Sequence, residues 1–160
     1  ADCAPALALL AEKGKRLQAV FVTHTHGDHI AALGRLQRET DARVYVPANE
    51  ERVLGTETFE PGCEFTFGGL RIETRSTWGH SKGGTSYIVH GLPRPVVVVG
   101  DALFAGSMGG GMFSYADALR TNRREIMTLP PQTVICPGHG PLTTVGEERA
   151  HNPFFASVLR

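Results

Sequence analysis

The sequence predicts a mixed α/β (α+β) domain whose buried strands deliver metal-binding types of side chain at their ends. Segments with strand and helix periodicity alternate along the whole chain, as in folds that pack sheets against helices. The apolar runs Val20-Phe21-Val22, Val96-Val97-Val98-Val99 and Val134-Ile135-Cys136 each lead into a loop that opens with a His or Asp. A length of 160 residues, with 41% hydrophobic and 20% charged, suits one globular domain over residues 1–160 with one substantial core.

Each element has its local reason. Residues 4–13 are rich in Ala and Leu and predict a helix closed by Gly14. Residues 17–22 predict a strand. Residues 29–38 return to helical spacing, with Ile30, Leu33 and Leu36 on one face. A second strand over 43–46 ends at Pro47, and 49–54 reads as one helical turn. The runs 64–67 and 70–74 predict a hairpin about Gly68-Gly69. Strands follow at 85–89 and 96–99, then a glycine-rich loop at 106–111. The longest helix is expected over 114–129, with Ser114 as N-cap and Pro130-Pro131 as its stop. Residues 133–136 form the last clear strand.

Composition excludes several partners. Sixteen Lys and Arg balance sixteen Asp and Glu, so nothing favours nucleic acid or an anionic membrane. The short cluster Arg120, Arg123 and Arg124 reads as a solvated helix face. No apolar run is long enough to span a bilayer, and the N-terminus lacks the order of a signal peptide. Cys3, Cys63 and Cys136 form no C-x-x-C pair, and free thiols suit a reducing cytoplasm. Cys136 is expected to be a small core residue.

The chemistry concentrates in Thr23-His24-Thr25-His26-Gly27-Asp28-His29. In extended chain, residues two apart point the same way, so His24 and His26 can face one metal ion. Gly27 permits a change of direction. Asp28 and His29, at a helix start, can then turn to a second ion. Imidazole and carboxylate suit zinc and related divalent ions. Further candidates are His80, after Gly79; Asp101, after Gly100; and His139, between Gly138 and Gly140. His90 and His151 have weaker contexts and read as a turn residue and a structural residue.

His24-x-His26-x-Asp28-His29, followed in order by Gly79-His80, Gly100-Asp101 and Gly138-His139-Gly140, resembles the signature of the metallo-β-lactamase superfamily. The resemblance implies a four-layer αβ/βα sandwich. It assigns His24, His26 and His80 to one metal and Asp28, His29 and His139 to a second, with Asp101 bridging. The class B β-lactamases that bind two zincs typically carry a cysteine where Asp101 stands, so the likeness is to glyoxalase II (hydroxyacylglutathione hydrolase) and related thioester hydrolases. The stretch from Gly100 to Gly106 and the late Glu148, Asn152, Pro153 and Phe154 resemble the same branch. Two features depart from glyoxalase II. Met108-Gly109-Gly110-Gly111 replaces its cysteine-glycine-arginine stretch, and the C-terminal helical extension has no counterpart. The family's first sheet usually begins with several strands before the signature. Here one precedes it, which implies a domain lacking part of its N-terminal sheet and open to homo-oligomeric cover.

The implied cofactors are two divalent ions, zinc foremost, with iron or manganese compatible. They would share a bridging water made acidic enough to yield hydroxide for attack on a small-molecule thioester, ester or lactone. Asp28 would be the catalytic carboxylate, orienting that nucleophile and shuttling its proton. Phe104, Met108, Met112 and Phe113 are candidates for the substrate wall. The alternatives are a mononuclear iron persulfide dioxygenase of the same fold and a non-catalytic metal-binding module.

Overall fold

We describe residues 2–156 of a computed structural model; Ala1 and residues 157–160 lie outside the described residues. Helix α1 (Ala4–Glu12), opened by Pro5, precedes β1 (Ala19–Phe21). The signature then supplies α2 (Gly27–Ile30), followed by α3 (Leu33–Glu39), β2 (Arg43–Pro47) and β3 (Glu57–Phe59). Next come β4 (Glu64–Phe67), β5 (Leu70–Ser76), β6 (Thr85–His90) and β7 (Val96–Gly100). The chain closes with β8 (Leu103–Phe104), β9 (Ser107–Met108), α4 (Tyr115–Glu125), β10 (Val134–Pro137), β11 (Thr143–Thr144) and α5 (Val145–His151).

Strands β1, β2 and β3 form a three-stranded parallel sheet. A six-stranded mixed sheet has the order β11-β10-β7-β6-β5-β4. Side-chain alternation along each strand decides how they stack. Val20, Val22, Val44 and Val46 face outward onto Ile30 and Leu33 of the first helices. Phe21 and Tyr45 face inward, stacked 5.0 Å apart, and meet Phe65, Phe67 and Tyr87 of the second sheet. Tyr87 also donates its hydroxyl to the Val22 carbonyl, so one side chain joins both sheets. On the far side, Ile88, Val97, Val99 and Ile135 pack against Ile126, Met127, Leu129 and Val145. Burial of each such side chain contributes about 1.5–3 kcal/mol. The order helix, sheet, sheet, helix is the expected four-layer αβ/βα sandwich.

Several local expectations need correction. The helix expected over 29–38 is two helices, parted at Ala32, whose ψ of −5° departs from helical geometry. Residues 49–54 are irregular chain between short turns instead of a helical turn, and the Glu50 side chain there bonds to two other loops. The helix from 115 stops at Glu125, four residues early, while Ser114 does cap it by accepting from Asp117 N–H. Strand β3, strand β11 and helix α5 have too little periodicity to be read alone. Arg120 pairs with Asp117 and Arg124 with Glu125 on the surface, in keeping with a solvated face. Cys136 is half-buried, and the three cysteines are unpaired. Among the described residues, no helix is long and apolar enough to cross a membrane.

Candidate metal centre

The site forms where strands of both sheets end. Strand β1 runs into His24 and His26, β7 into Asp101, and β10 into His139, while the loop before β6 carries His80. Thr85 N–H donates to Thr23 O across the two sheets, and Gly138 N–H donates to Gly100 O between two of the loops. These bonds hold the loop mouths together.

Seven side chains converge there in three overlapping groups, each with donor atoms within 4.8 Å of one another. His24, His26 and His80 form one group, and Asp28, His29 and His139 another; His24, His29 and Asp101 link them. Asp101 Oδ1 lies 3.2 Å from His29 Nε2, and Oδ2 lies 3.6 Å from His80 Nε2 and 3.5 Å from His139 Nε2. Its carboxylate therefore faces both groups. Asp28 Oδ2 lies 3.0 Å from His139 Nε2. His90 and His151 stand apart, paired with Glu73 and Glu147.

Buried atoms without partners test whether a cation fits. His24 Nε2, His29 Nε2 and Asp101 Oδ1 are buried and make no hydrogen bond. Native interiors rarely leave lone-pair atoms unpaired, and three converging on one spot suit a shared cation. The outer ring nitrogens support the same geometry. His80 Nδ1 lies 2.8 Å from Gly110 O, and a carbonyl can only accept, so this nitrogen carries the proton and Nε2 presents its lone pair inward. Thr23 Oγ1 lies 3.1 Å from His24 Nδ1, and its hydroxyl can donate or accept, so it steadies the ring with Nε2 turned to the centre in either tautomer. Burial, followed by the charge of neighbouring His29, lowers the His24 pKa from 6.5 to about 4, which keeps the ring neutral. Burial raises the Asp28 carboxyl, but its own backbone N–H, then His29 and His139, outweigh this, so the net shift is downward.

Glycines make room for this convergence. Gly100 has φ +53°, and a Cβ there would lie 2.5 Å from Thr23 Oγ1. At Gly138 a Cβ would lie 2.3 Å from Asp101 Oδ1 and 2.6 Å from His29 Cε1. Gly27, by contrast, has neither a positive φ nor a neighbour within 4 Å, so the change of direction needs no glycine. The expected glycine loop also proves packed: its Ser107 and Met108 form β9 and pair with β8, and a Cβ at Gly109 would collide with Asp101 O.

Beside His26 and His80 lies a hollow of about 530 Å³, lined by Asn49, Glu51, Lys82, Met112 and Phe113 among others. Met112 is 74% exposed and Phe113 56%, which suits a wall. Met108, expected beside them, is instead buried at 7% and belongs to the interior. Phe104 sits 6.1 Å from the His139 ring. Glu50 and Lys82 escaped the sequence reading. The partners of Glu50 lie 25 and 33 positions away, and no local pattern encodes such contacts.

A family model described as Metallo-beta-lactamase superfamily matches residues 1–139. Probable metallo-hydrolase YqgX of Bacillus subtilis is 33% identical over 168 aligned residues, covering 89% of this chain and 78% of that protein. Hydroxyacylglutathione hydrolase of Pseudomonas entomophila is 32% identical, over 95% of this chain and 60% of its own length. Among solved structures, ETHE1 from Myxococcus xanthus superposes with a TM-score of 0.83 at 31% identity, covering 95% of this chain and 68% of that one. The superposition, the family match and the histidine-rich strand ends agree: the chain belongs to the metallo-beta-lactamase superfamily.

Proposed function

We propose that the chain is a binuclear metal-dependent hydrolase acting on a small-molecule thioester or related ester or lactone. The position of Asp101 carries this reading. Its two carboxylate oxygens face His29 on one side and His80 and His139 on the other, as a ligand shared by two ions requires. On this reading His24, His26 and His80 hold one ion, and Asp28, His29 and His139 hold the other. When bound, two such ions supply an acidic water and a Lewis acid for the carbonyl. Zinc fits the ligand types, as do iron and manganese. The likeness to a hydroxyacylglutathione hydrolase over 60% of that enzyme's length supports the thioester class.

The protein's own groups have definite tasks. Asp28 is ionised and more than half exposed, so it can orient the attacking water and relay its proton; its Oδ2 and His139 Nε2, 3.0 Å apart, would face the same ion. Met112 and Phe113 would cover the apolar part of the substrate, and the Lys82 ammonium would meet a polar or anionic end. Unpaired thiols fit a reducing cytoplasmic setting.

Metal content and turnover test the proposal together. The native chain should carry about two ions and hydrolyse a thioester. Asp101→Ala should bind fewer ions and lose hydrolysis. Wild-type metal content and rate in that variant would overturn the bridging role. A single iron in the native protein would overturn the hydrolase reading in favour of the dioxygenase. Full metal loading with no turnover of any acyl substrate would favour a binding module.

A further inference from the structure

Glu50 follows β2 and is not among the seven converging side chains. Its carboxylate nevertheless joins the two loops that carry the first group of them. Oε2 accepts from Thr25 N–H at 2.9 Å and from Thr25 Oγ1 at 2.7 Å. Oε1 accepts from Gly83 N–H at 2.7 Å. Thr25 lies between His24 and His26, and Gly83 lies just beyond His80 in the loop leading to β6. The fit is close: a Cβ on Gly83 would stand 2.8 Å from Glu50 N. Thr25 Oγ1 also accepts from Glu51 N–H at 3.3 Å, which ties the Glu50 backbone into the same junction.

The chemistry requires an acceptor at both oxygens. Backbone N–H groups can only donate, and they occupy both ends of the carboxylate. An amide in its place would point an N–H at one of these donors, breaking a charge-assisted bond and opposing two donors in a half-buried place. Burial raises the Glu50 carboxyl, but hydrogen bonding from the two loops, Thr25 and Gly83 among them, more than offsets it, so the group is held below its ordinary value. Both oxygens are engaged by donors from the two loops. Its effect must pass through the loops.

We infer that Glu50 is a positioning residue that fixes the His24–His26 loop against the His80 loop and so sets metal affinity in that half of the centre. The inference rests on the binuclear reading. Loss of an outer partner of this kind typically weakens metal binding by about 10- to 100-fold. The other half, built from Asp28, His29 and His139, has no bond to Glu50 and should be spared.

The test is a zinc titration of the metal-free full chain against a competing chelator, with native protein, Glu50→Gln and Thr25→Val. Native protein should bind two ions. Glu50→Gln should retain one and bind the other about 10- to 100-fold more weakly. Thr25→Val removes the hydroxyl that donates to Glu50 Oε2 and accepts from Glu51 N–H, keeps the Thr25 N–H bond to Glu50, and should weaken the same ion to a smaller degree. In a His139→Ala background, adding Glu50→Gln should affect the remaining ion, which identifies the half concerned. Equal weakening of both ions, or unchanged binding of both, would overturn the inference. Should Glu50→Gln fail to fold, Thr25→Val decides the matter alone, and unchanged binding there overturns it. If the native chain binds no second ion, the binuclear reading fails instead, and the two failures are distinct.

Discussion

Replacing Gly138 by Ala adds one methyl group at the closest approach between two ligand-bearing loops. An ideal Cβ there stands 2.3 Å from Asp101 Oδ1, whereas ordinary contact begins at 3.4 Å. The carboxylate would have to retreat by about 1.1 Å, and His29 Cε1 by about 0.8 Å from its 2.6 Å approach. The backbone cannot absorb the strain easily, because Gly138 N–H is bonded to Gly100 O and β10 is paired with β7. Bonds to zinc are about 2.0–2.2 Å long, so a displacement near 1 Å is half a bond and breaks coordination. Misplacement on this scale costs roughly 100-fold in rate. Crowding should cost fold stability only about 1–3 kcal/mol. The assay is metal per chain, thioester hydrolysis and a denaturant melt on the same sample. Gly138→Ala should stay folded, lose metal and lose rate. Gly27→Ala, whose Cβ enters open space, should keep its metal and melt within about 0.5 kcal/mol of the native chain. A Gly138→Ala protein with native metal content and rate would refute the claim that this approach is required.

Two further outcomes concern stability. In metal-free protein, His24 titrates at about 4 when folded against 6.5 when exposed. Between these values the unfolded chain takes up a proton and the folded chain does not. Stability from this group is therefore full above pH 6.5 and falls as pH drops toward 4, by about 3 kcal/mol at most. Urea titrations of the chelated protein across that range should show the decline, with a shallower slope in His24→Asn; identical slopes would contradict the burial argument. Tyr87→Phe removes the hydroxyl bond to Val22 O that joins the sheets and should cost about 1–3 kcal/mol in a denaturant titration. An unshifted midpoint would show that the Val22 carbonyl finds another partner.

Much of the architecture was written locally. The runs Val20-Phe21-Val22 and Val96-Val97-Val98-Val99 were legible as strands, though β1 is only half-buried, and Ser114 before a helical pattern was legible as a cap. The short elements β3, β11 and α5 were invisible, since strands of two or three residues owe their existence to a neighbour to pair with. Gly27 was misjudged for a related reason. Whether a glycine is needed depends on which atoms approach it, and Asp101 O does so at Gly109 while nothing does at Gly27.

By itself, the sequence determined the chemical inventory: five histidines and two aspartates, four of them in one cluster after a strand and three in later loops beside a glycine. Ligand type and strand periodicity are properties of single residues and their immediate neighbours. Tertiary structure alone decided that Asp101 faces two groups at once, that His80 turns its Nε2 inward by bonding Gly110 O, and that Glu50 joins two loops far away in sequence. These are relations between distant segments, and they are set only when the packing of Phe21, Tyr45 and Tyr87 brings the two sheets face to face.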